Sequence, residues 1–581
     1  MGFIRNFRLV IGIASENISD DPFHFLLQLS RRLPSRLVGR FARLLSSAVP
    51  RTSTTVPVAL AELVSGNHTG LHRRLRLALN RRVSARTAVR LADLALMAND
   101  PALADEFLEI SDGAPGLRAA RARRLWYDGA VTDAVEVLEG ANEPGTVFGE
   151  RLAAEKRLLE GWAPVLPVCR VEPVPNRVLH LLTNSLPHTQ SGYAQRSHSI
   201  LRSQQDAGWE TLAVTRLGYP VLVGKLGARV LDEVDGVRYT RLLPARLAAT
   251  ATGRLQQQAE ETFRRALEFR PSVIHTSTHY VNGLVARAVA ESLGIPWVYE
   301  VRGQLADTWA STRSPTARES ERYRLFQDRE SEIMRAADLV VTLGHAMKEK
   351  IVAAGVPEGK IIIAPNAVGG DYLREPLGVG EARAQLGLDP SAEFIGTISS
   401  LVPYEGLDDL ILAFALLAPV RPKLHLLIVG AGESLPSLQQ LARRSGFGGR
   451  IVFTGRVPRG VARTYHQALD VFVVPRKDLE VTRSVTPLKP VEALASSRAV
   501  VASSLPALAE IVDEGRTGLL VPPEEPAALA TALETLLADA QMRLSMGQAG
   551  RTQVLRTRTW AANADACIQA YGRIEQARRS S

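Results

Sequence analysis

The stretch VFVVPRKDLEVTRSVTPLKPVEALASSRAVVAS (471–503) decides the fold of the second half of the chain. A run of four apolar residues ends at Pro475, and basic residues follow it directly. A turn through Thr486 leads into a helix that opens near Lys489, and the β-branched run AVVAS (499–503) forms the next strand. A helix between two consecutive strands predicts a right-handed crossover between strands of a parallel sheet.

Two charged residues at the start of this helix suit a phosphorylated ligand. Lys489 and the unpaired amides of the first helical turn can hold a diphosphate. Glu492 lies three positions later on the same face, where its carboxylate can accept hydrogen bonds from a sugar diol, most naturally a ribose. The alternative is structural, with Glu492 interacting with the helix dipole and Lys489 solvated at the surface.

The same alternation of strands and helices extends upstream to a proline-rich linker, PVLPVCRVEPVP (164–175). About 400 residues are too many for one core of this kind, so the pattern predicts two parallel-sheet units that join near 370–390. The predicted strands are RVLHLLT (177–183), TLAVTRL (211–217), SVIHTS (272–277), WVYEV (297–301), LVVTL (339–343), IIIAP (361–365), FIGTIS (394–399), HLLIVG (425–430), IVFTG (451–455), VFVVP (471–475), AVVAS (499–503) and LLVPP (519–523).

An all-helical extension is predicted before the linker. Residues 68–160 show the pattern of successive short helices, and 117–140 weakly resembles a tetratricopeptide helix pair with its turn at Gly129. Residues 20–48 place Phe and Leu at helical spacing with arginines between them. Such a segment can lie in a membrane interface or pack its apolar face on the rest of the chain. We expect the catalytic part not to need this extension for its chemistry.

Basic charge is concentrated at the N-terminus. The chain has 581 residues and a formal net charge of +10, and residues 1–100 contain 15 Lys+Arg against 6 Asp+Glu. No helix-turn-helix, zinc or RNA-binding signature accompanies this charge, so we expect no nucleic-acid partner. The favoured interpretation is contact with an anionic membrane surface or an acidic partner, and a solvated helix face is the alternative.

The composition is that of a folded protein, with 46% hydrophobic and 22% charged residues. Cys169 and Cys567 lie far apart without metal-ligand spacing, which indicates a reduced, cytosolic protein. No apolar run reaches the roughly 18 residues of a spanning helix, and the N-terminus lacks a signal-peptide cleavage pattern. We expect a cytoplasmic location, with peripheral attachment to the inner membrane face.

Each half also contains a glycine-bearing turn between a strand and a helix. Ser191-Gly192 precedes a helix that begins near Tyr193, and a helix N-terminus with a close-approaching glycine suits a phosphate. Gly430-Ala431-Gly432 follows HLLIV but lacks the full G-x-G-x-x-G pattern. Either turn can contact a ligand or serve only the chain reversal.

From about 177 to 575 the chain resembles glycosyltransferase family 4. The landmarks occur in the family's order and are SGYAQRSHSI (191–200), YEVRG (299–303), SSLVPYEGLDDLILAF (399–414), VGAGE (429–433), FTGRVPRGVARTYHQALDVFVVP (453–475), TPLKPVEALA (486–495) and LPALAEIVDEGRTGLLVPP (505–523). The resemblance implies an α/β fold in which two Rossmann-like domains face each other across a cleft. The expected organisation is a helical extension (1–172), an acceptor-side domain (173–384), a donor domain (385–556) and a C-terminal helix that crosses back to the first domain (557–581).

The family's donor-binding roles carry over to particular positions. Gly192 would face the donor phosphate and the reacting sugar, and the backbone of Val457 would contact the nucleobase. Thr486 lies in the donor turn. Lys489 would contact the diphosphate, and Glu492, which matches the second Glu of the family's E-x7-E motif, would hold the ribose hydroxyls.

The chain differs from the family pattern at three positions where the family has a charged residue that contacts the donor. Ser484 occupies the place of the first Glu of the motif, and Ser400 and Glu405 replace an Arg and a Lys of the loop after the first strand of the donor domain. A donor diphosphate still needs cationic partners. We predict that Arg476 together with Lys489 replaces the missing charges.

Three further residues are candidates for catalysis. The family's acceptor-pocket histidine falls on Ser277, but His279 stands two residues later, past the strand end where ligands bind in open α/β sheets. A satisfied structural histidine is the alternative. Glu300 and Arg302 in YEVRG share one face at a strand end and either line the cleft or form an ion pair.

The resemblance implies retaining transfer of a sugar from a nucleotide-sugar co-substrate to a glycan or lipid-linked acceptor in cell-surface polysaccharide biosynthesis. It implies no cofactor and no metal, and the chain carries no Asp-x-Asp motif. The alternatives are a phosphorylase or epimerase on the same architecture, and a non-catalytic scaffold with a degenerate enzyme domain.

Overall fold

The computed structural model describes residues 4–12, 54–65, 67–81, 83–139 and 147–580. The basic amphipathic stretch predicted over 20–48 lies outside the described residues. None of the helices within the described ranges is long and apolar enough to cross a membrane.

The part of the chain before the first strand is helical, as predicted. Side chains at the N-caps fix where three of these helices begin: Asn67, Ser84 and Asp100 each accept a backbone hydrogen bond from the first turn. Gly129 takes a left-handed φ of 89° between α6 and α7, which forms the turn of the predicted helix pair. The described helices are α1 (4–12), α2 (Val56–Ser65), α3 (His68–Asn80), α4 (Ala85–Met97), α5 (Pro101–Glu109), α6 (Leu117–Asp128), α7 (Val131–Glu139) and α8 (Val147–Leu159).

The first α/β domain is built on an eight-stranded sheet of order β3-β4-β2-β1-β5-β6-β7-β8, parallel except for the β3–β4 hairpin. Its strands are β1 (Arg177–Leu182), β2 (Glu210–Thr215), β3 (Leu231–Val234), β4 (Val237–Arg241), β5 (Val273–Ser277), β6 (Trp297–Val301), β7 (Leu339–Thr342) and β8 (Ile361–Ile363). Its helices are α9 (Gly192–Asp206), α10 (Ala251–Phe269), α11 (Tyr280–Leu293), α12 (Leu305–Ala310), α13 (Glu321–Ala336) and α14 (His345–Ala353).

The hairpin of β3 and β4 is absent from the sequence prediction. Its strands, LDEV and VRYTR, are short and mix charged with apolar residues, and β3 forms the edge of the sheet. The turn uses Asp235 and Gly236, both at positive φ.

The second α/β domain contains a six-stranded, fully parallel sheet of order β11-β10-β9-β12-β13-β14. Its strands are β9 (Glu393–Ile398), β10 (Leu424–Val429), β11 (Ile451–Gly455), β12 (Val471–Val474), β13 (Ala499–Ser503) and β14 (Gly518–Val521). Its helices are α15 (Val379–Gln385), α16 (Leu407–Leu417), α17 (Leu435–Arg444), α18 (Arg459–Ala468), α19 (Glu480–Ser484), α20 (Lys489–Ala495), α21 (Pro506–Ala509), α22 (Pro526–Ala538) and α23 (Ala540–Thr557). The predicted fold class, two parallel-sheet α/β domains behind a helical region, is confirmed.

The last helix, α24 (Trp560–Ser580), packs on the first domain. Its buried Tyr571 hydroxyl hydrogen-bonds His275 Nδ1 at 2.5 Å and accepts from Gln204 Nε2 at 3.0 Å. The chain therefore crosses between the domains twice, and the crossing segments pair where Trp560 N donates to Val368 O at 3.1 Å.

The helical extension packs into the first domain through both apolar and polar contacts. Val131 and Leu158 are buried within that domain's core cluster. Thr132 N donates to Glu321 at 2.8 Å, and the Arg322 guanidinium lies 5.1 Å from the Trp126 ring centroid. Removing the extension at the linker would expose apolar surface of the first domain to water.

Candidate functional site

A cleft of about 1440 Å³ lies between the two α/β domains. Its walls come from residues that follow the carboxyl ends of strands in both sheets, the position where open α/β sheets bind ligands. The two crossing segments, around 366–373 and 559–561, also line it.

The cleft carries an excess of positive charge. Nine basic and five acidic side chains line it. The basic residues are Arg196, Arg202, Lys225, Arg302, Arg456, Arg459, Arg463, Arg476 and Lys489. The acidic residues are Asp206, Asp235, Asp371, Glu405 and Glu492. Focused positive potential of this kind attracts anionic ligands.

Lys489 and Glu492 meet at the start of α20, on the donor-domain side of the cleft. Lys489 Nζ donates to Glu492 Oε2 at 2.8 Å, and the two side chains are 36% and 14% exposed. Burial alone would raise the pKa of Glu492, but Lys489 and then His466 lower that pKa to about 2. The carboxylate is therefore charged at neutral pH and available as a hydrogen-bond acceptor.

The turn before α20 is held from the floor of the cleft. Asn366 Nδ2 donates to Thr486 O at 2.8 Å, so the crossing segment fixes the backbone of the predicted donor turn. The Thr486 hydroxyl is buried and has no hydrogen-bond partner among the described residues. Sequence reasoning did not identify Asn366, because its partner is 120 positions away.

Arg476 is already paired within the protein. Its Nη2 donates to Glu405 Oε1 at 2.7 Å, its Nε reaches Oε2 at 3.3 Å, and its Nη1 donates to Val485 O at 2.9 Å. Glu405 stands where the family pattern has a cation, and its carboxylate neutralises the arginine that we expected to bind phosphate. Arg476 therefore connects the loop that holds Glu405 to the backbone just before the donor turn.

The glycine turns at Gly192 and at Gly430-Ala431-Gly432 differ in whether packing excludes a side chain. A Cβ added to Gly192, at the start of α9, would meet no atom within 4 Å, so packing does not demand a glycine there and the cleft stays open in front of it. A Cβ on Gly430 would lie 1.9 Å from Ser399 O, and one on Gly432 would lie 2.1 Å from Leu401 O. The close approach of the neighbouring backbone explains why the second turn has glycines at these two positions. Gly430 also lines the cleft.

Glu300 and Arg302 adopt the ion-pair alternative. Glu300 is fully buried, and its carboxylate accepts from Arg302 Nε at 2.8 Å and from Arg196 Nε at 2.7 Å. Burial would raise the pKa of Glu300, but the two guanidinium groups hold that pKa well below its usual value. Arg196 and Arg302 line the cleft and Glu300 does not, so the carboxylate orients the two arginines.

His279 is not among the residues that line the cleft. Its Nδ1 caps α11 by accepting from Val281 N at 3.4 Å, and its ring packs on Tyr280 and Phe326. Burial lowers the pKa of His279 to about 4, which leaves the ring neutral. These contacts favour the structural alternative for this histidine.

Val457 lines the cleft, between two arginines that the sequence analysis left unassigned. Arg456 and Arg459 are exposed, and neither pairs with a carboxylate among the described residues. Both arginines occur in the landmark FTGRVPRG, beside the position predicted to contact the nucleobase. That placement was the feature of the sequence from which they could have been identified.

Comparisons with known proteins agree with this geometry. The family "Glycosyl transferase 4-like domain" matches residues 191–367, and the family "Glycosyl transferases group 1" matches residues 379–553. Together the two matches cover both walls of the cleft. The chain belongs to the family 4 type of glycosyltransferase.

Similar proteins include bacterial glycosyltransferases. The chain is 27% identical over 354 residues to the D-inositol 3-phosphate glycosyltransferase of Segniliparus rotundus, covering 59% of this chain and 74% of that one. It is 31% identical over 227 residues to the GDP-mannose-dependent alpha-(1-6)-phosphatidylinositol monomannoside mannosyltransferase of Mycolicibacterium smegmatis, covering 39% and 59%.

Two solved structures share the fold. The sucrose-phosphate synthase from Thermosynechococcus elongatus superposes with a TM-score of 0.59 at 22% identity, covering 69% of this chain and 100% of that one. Anabaena HepE in complex with UDP gives a TM-score of 0.54 at 18% identity, covering 68% and 99%. This glycosyltransferase thus shares the two-domain fold of both structures.

The Arg476–Glu405 pair predicts a non-additive stability change. Arg476→Ala should lower the free energy of unfolding by about 3 kcal/mol, because it leaves a largely buried carboxylate without its cation. Glu405→Ala should cost a similar amount, and the double variant should cost less than the sum of the two. The measurement is urea unfolding of the three variants, with Ser400→Ala, an exposed residue of the same cleft wall, as the control. Strictly additive losses would show that the two side chains are not coupled.

Proposed function

We propose that this glycosyltransferase retains the anomeric configuration and works without a metal ion. The observation that carries the proposal is the Lys489–Glu492 pair at a helix start within a cleft whose charged side chains are predominantly basic. Lys489 would stabilise the leaving diphosphate, while Glu492 holds the ribose. Positioned cations and helix-end dipoles supply the charge stabilisation that a metal ion provides in other enzymes.

In this mechanism the diphosphate is both leaving group and base. As the bond between the sugar anomeric carbon and the phosphate oxygen breaks, negative charge develops on the diphosphate, and Lys489 and the positive dipole end of α20 stabilise it. The acceptor hydroxyl attacks from the same face, and its proton passes to a diphosphate oxygen. The transfer then needs positioning by the protein more than a protein base.

The proposed acceptor is a glycan or a lipid-linked molecule, in the setting of cell-surface polysaccharide synthesis. The names of the similar proteins add a second candidate, a polyol that bears a phosphate. The excess of basic side chains favours an acceptor that is itself anionic, because a donor diphosphate does not account for all of them. A non-catalytic scaffold is not favoured, since both family matches and the charged cleft are present.

A panel of nucleotide sugars tests the proposed function. We expect the full-length protein to release nucleoside diphosphate from one or two donors, in the presence of EDTA as well as in its absence. The anomer of the transferred sugar, determined by proton NMR on the product of reaction with inositol 3-phosphate or a lipid-linked glycan, should match that of the donor. An inverted anomer, or activity abolished by EDTA and restored by a divalent cation, would contradict the proposed mechanism.

We also propose that the N-terminal part of the chain contacts an anionic membrane surface, where lipid-linked acceptors are found. Residues 1–100 hold 15 of the chain's basic side chains against 6 acidic ones. In the described helix α1, Asn6 Nδ2 donates to Leu226 O and Ala228 O at 2.8 Å, which docks the helix beside Lys225 at the cleft. Ile4 and Ile11 on α1 are 59% and 48% exposed.

Sedimentation with vesicles tests this attachment. The protein should sediment with vesicles that contain phosphatidylserine at low salt and be released as salt increases, because each basic residue near the surface contributes about 1 kcal/mol that salt screens. The double variant Ile4→Asp/Ile11→Asp should bind less. Val352→Asp/Leu416→Asp, at exposed apolar positions elsewhere, is the matched control and should bind as wild type does. Equal sedimentation with neutral vesicles, or none at all, would overturn the proposal.

A further inference from the structure

A buried histidine lies directly behind the predicted ribose-binding carboxylate. His466, on α18, is 0% exposed, and its Nε2 is 3.5 Å from Glu492 Oε2. Neither ring nitrogen has a hydrogen-bond partner within the described part of the chain. A buried polar group without a partner is uncommon and costly, so the placement of this ring requires an explanation.

Aromatic side chains fix the position of the imidazole. The ring centroid of His466 is 5.1 Å from that of Phe472 and 6.2 Å from that of Tyr372. An apolar ring would fill this space without leaving two nitrogen atoms unsatisfied. The Glu492 carboxylate and, beyond it, the Lys489 ammonium are the charged groups that act on the imidazole.

The carboxylate oxygen nearest to His466 is shared with a more exposed cation. Lys489 Nζ lies 2.8 Å from the same Oε2, and the lysine side chain is 36% exposed. A lysine that turns toward a bound diphosphate withdraws its hydrogen bond from Glu492. The Glu492 carboxylate is 14% exposed, and His466 would then be the hydrogen-bond donor that remains beside it.

We propose that His466 is a positioning residue for donor binding: its Nε2–H donates to Glu492 once Lys489 has moved to the diphosphate, and this holds the carboxylate toward the ribose hydroxyls. The inference rests on the proposed placement of the donor. Burial lowers the pKa of His466, although Glu492 acts to raise it, so the ring is neutral and donates through one nitrogen. His466 thereby makes Glu492 selective for a ribose over a deoxyribose.

Discrimination between ribose and deoxyribose separates this role from simple packing. The probes are UDP and GDP with their 2′-deoxy counterparts, and the measurement is isothermal titration calorimetry on the full-length protein. Wild type should prefer the ribonucleotide by at least about tenfold, the effect of one hydrogen bond to a charged group. In His466→Phe, which preserves an aromatic ring, the preference should fall to within about threefold, while affinity for the 2′-deoxy nucleotide stays unchanged.

A conservative variant and a matched control complete the experiment. His466→Gln retains a side-chain N–H and should keep most of the ribose preference. His425, a partly buried histidine of the same domain that stacks on Phe394, lies outside the cleft, so His425→Phe should behave as wild type. Thermal melts of all variants report whether they fold, and if His466→Phe fails to fold, the result for His466→Gln decides: a complete loss of preference there contradicts the proposal.

Two outcomes overturn different claims. If wild type prefers the ribonucleotide and His466→Phe keeps that preference, the histidine only packs and the inference is wrong. If wild type shows no preference, or Glu492→Gln leaves the preference intact, Glu492 does not bind the ribose and the placement of the donor itself is wrong.

Discussion

The ion pair between Lys489 and Glu492 is the interaction on which the account of this protein depends. It places a cation and a carboxylate three residues apart at a helix start, where the helix dipole adds partial positive charge. The rest of the second domain keeps that helix start in the cleft: β12 leads the chain to the cleft edge, and Asn366 holds the turn that follows.

The fold was predictable from the sequence because its signals are local. Apolar runs such as VFVV, bounded by proline and followed by a helical pattern, are enough to predict strands buried on both faces. The motif TPLKPVEALA likewise placed Lys489 and Glu492 on one face of a helix start, and this spacing brings their side chains together in the structure. The β3–β4 edge hairpin was not predictable in this way, because its charged, short strands carry no apolar run.

The interpretations of Arg476 and Glu300 depended on partners that are distant in sequence. Arg476 looked like a free cation until Glu405, 71 positions earlier, was found against it. Glu300 looked like a cleft carboxylate, but Arg196 lies 104 positions before it and helps to bury it. The charge of a side chain can be read from the sequence. Whether that charge is already compensated depends on tertiary contacts.

A crystal structure of the full-length protein with a bound nucleoside diphosphate, UDP or GDP, tests the central claim most directly. The account predicts that Lys489 Nζ leaves Glu492 and contacts the diphosphate, while the Glu492 carboxylate accepts hydrogen bonds from the ribose hydroxyls. A nucleotide bound elsewhere in the cleft, with the 2.8 Å Lys489–Glu492 pair intact, would contradict it.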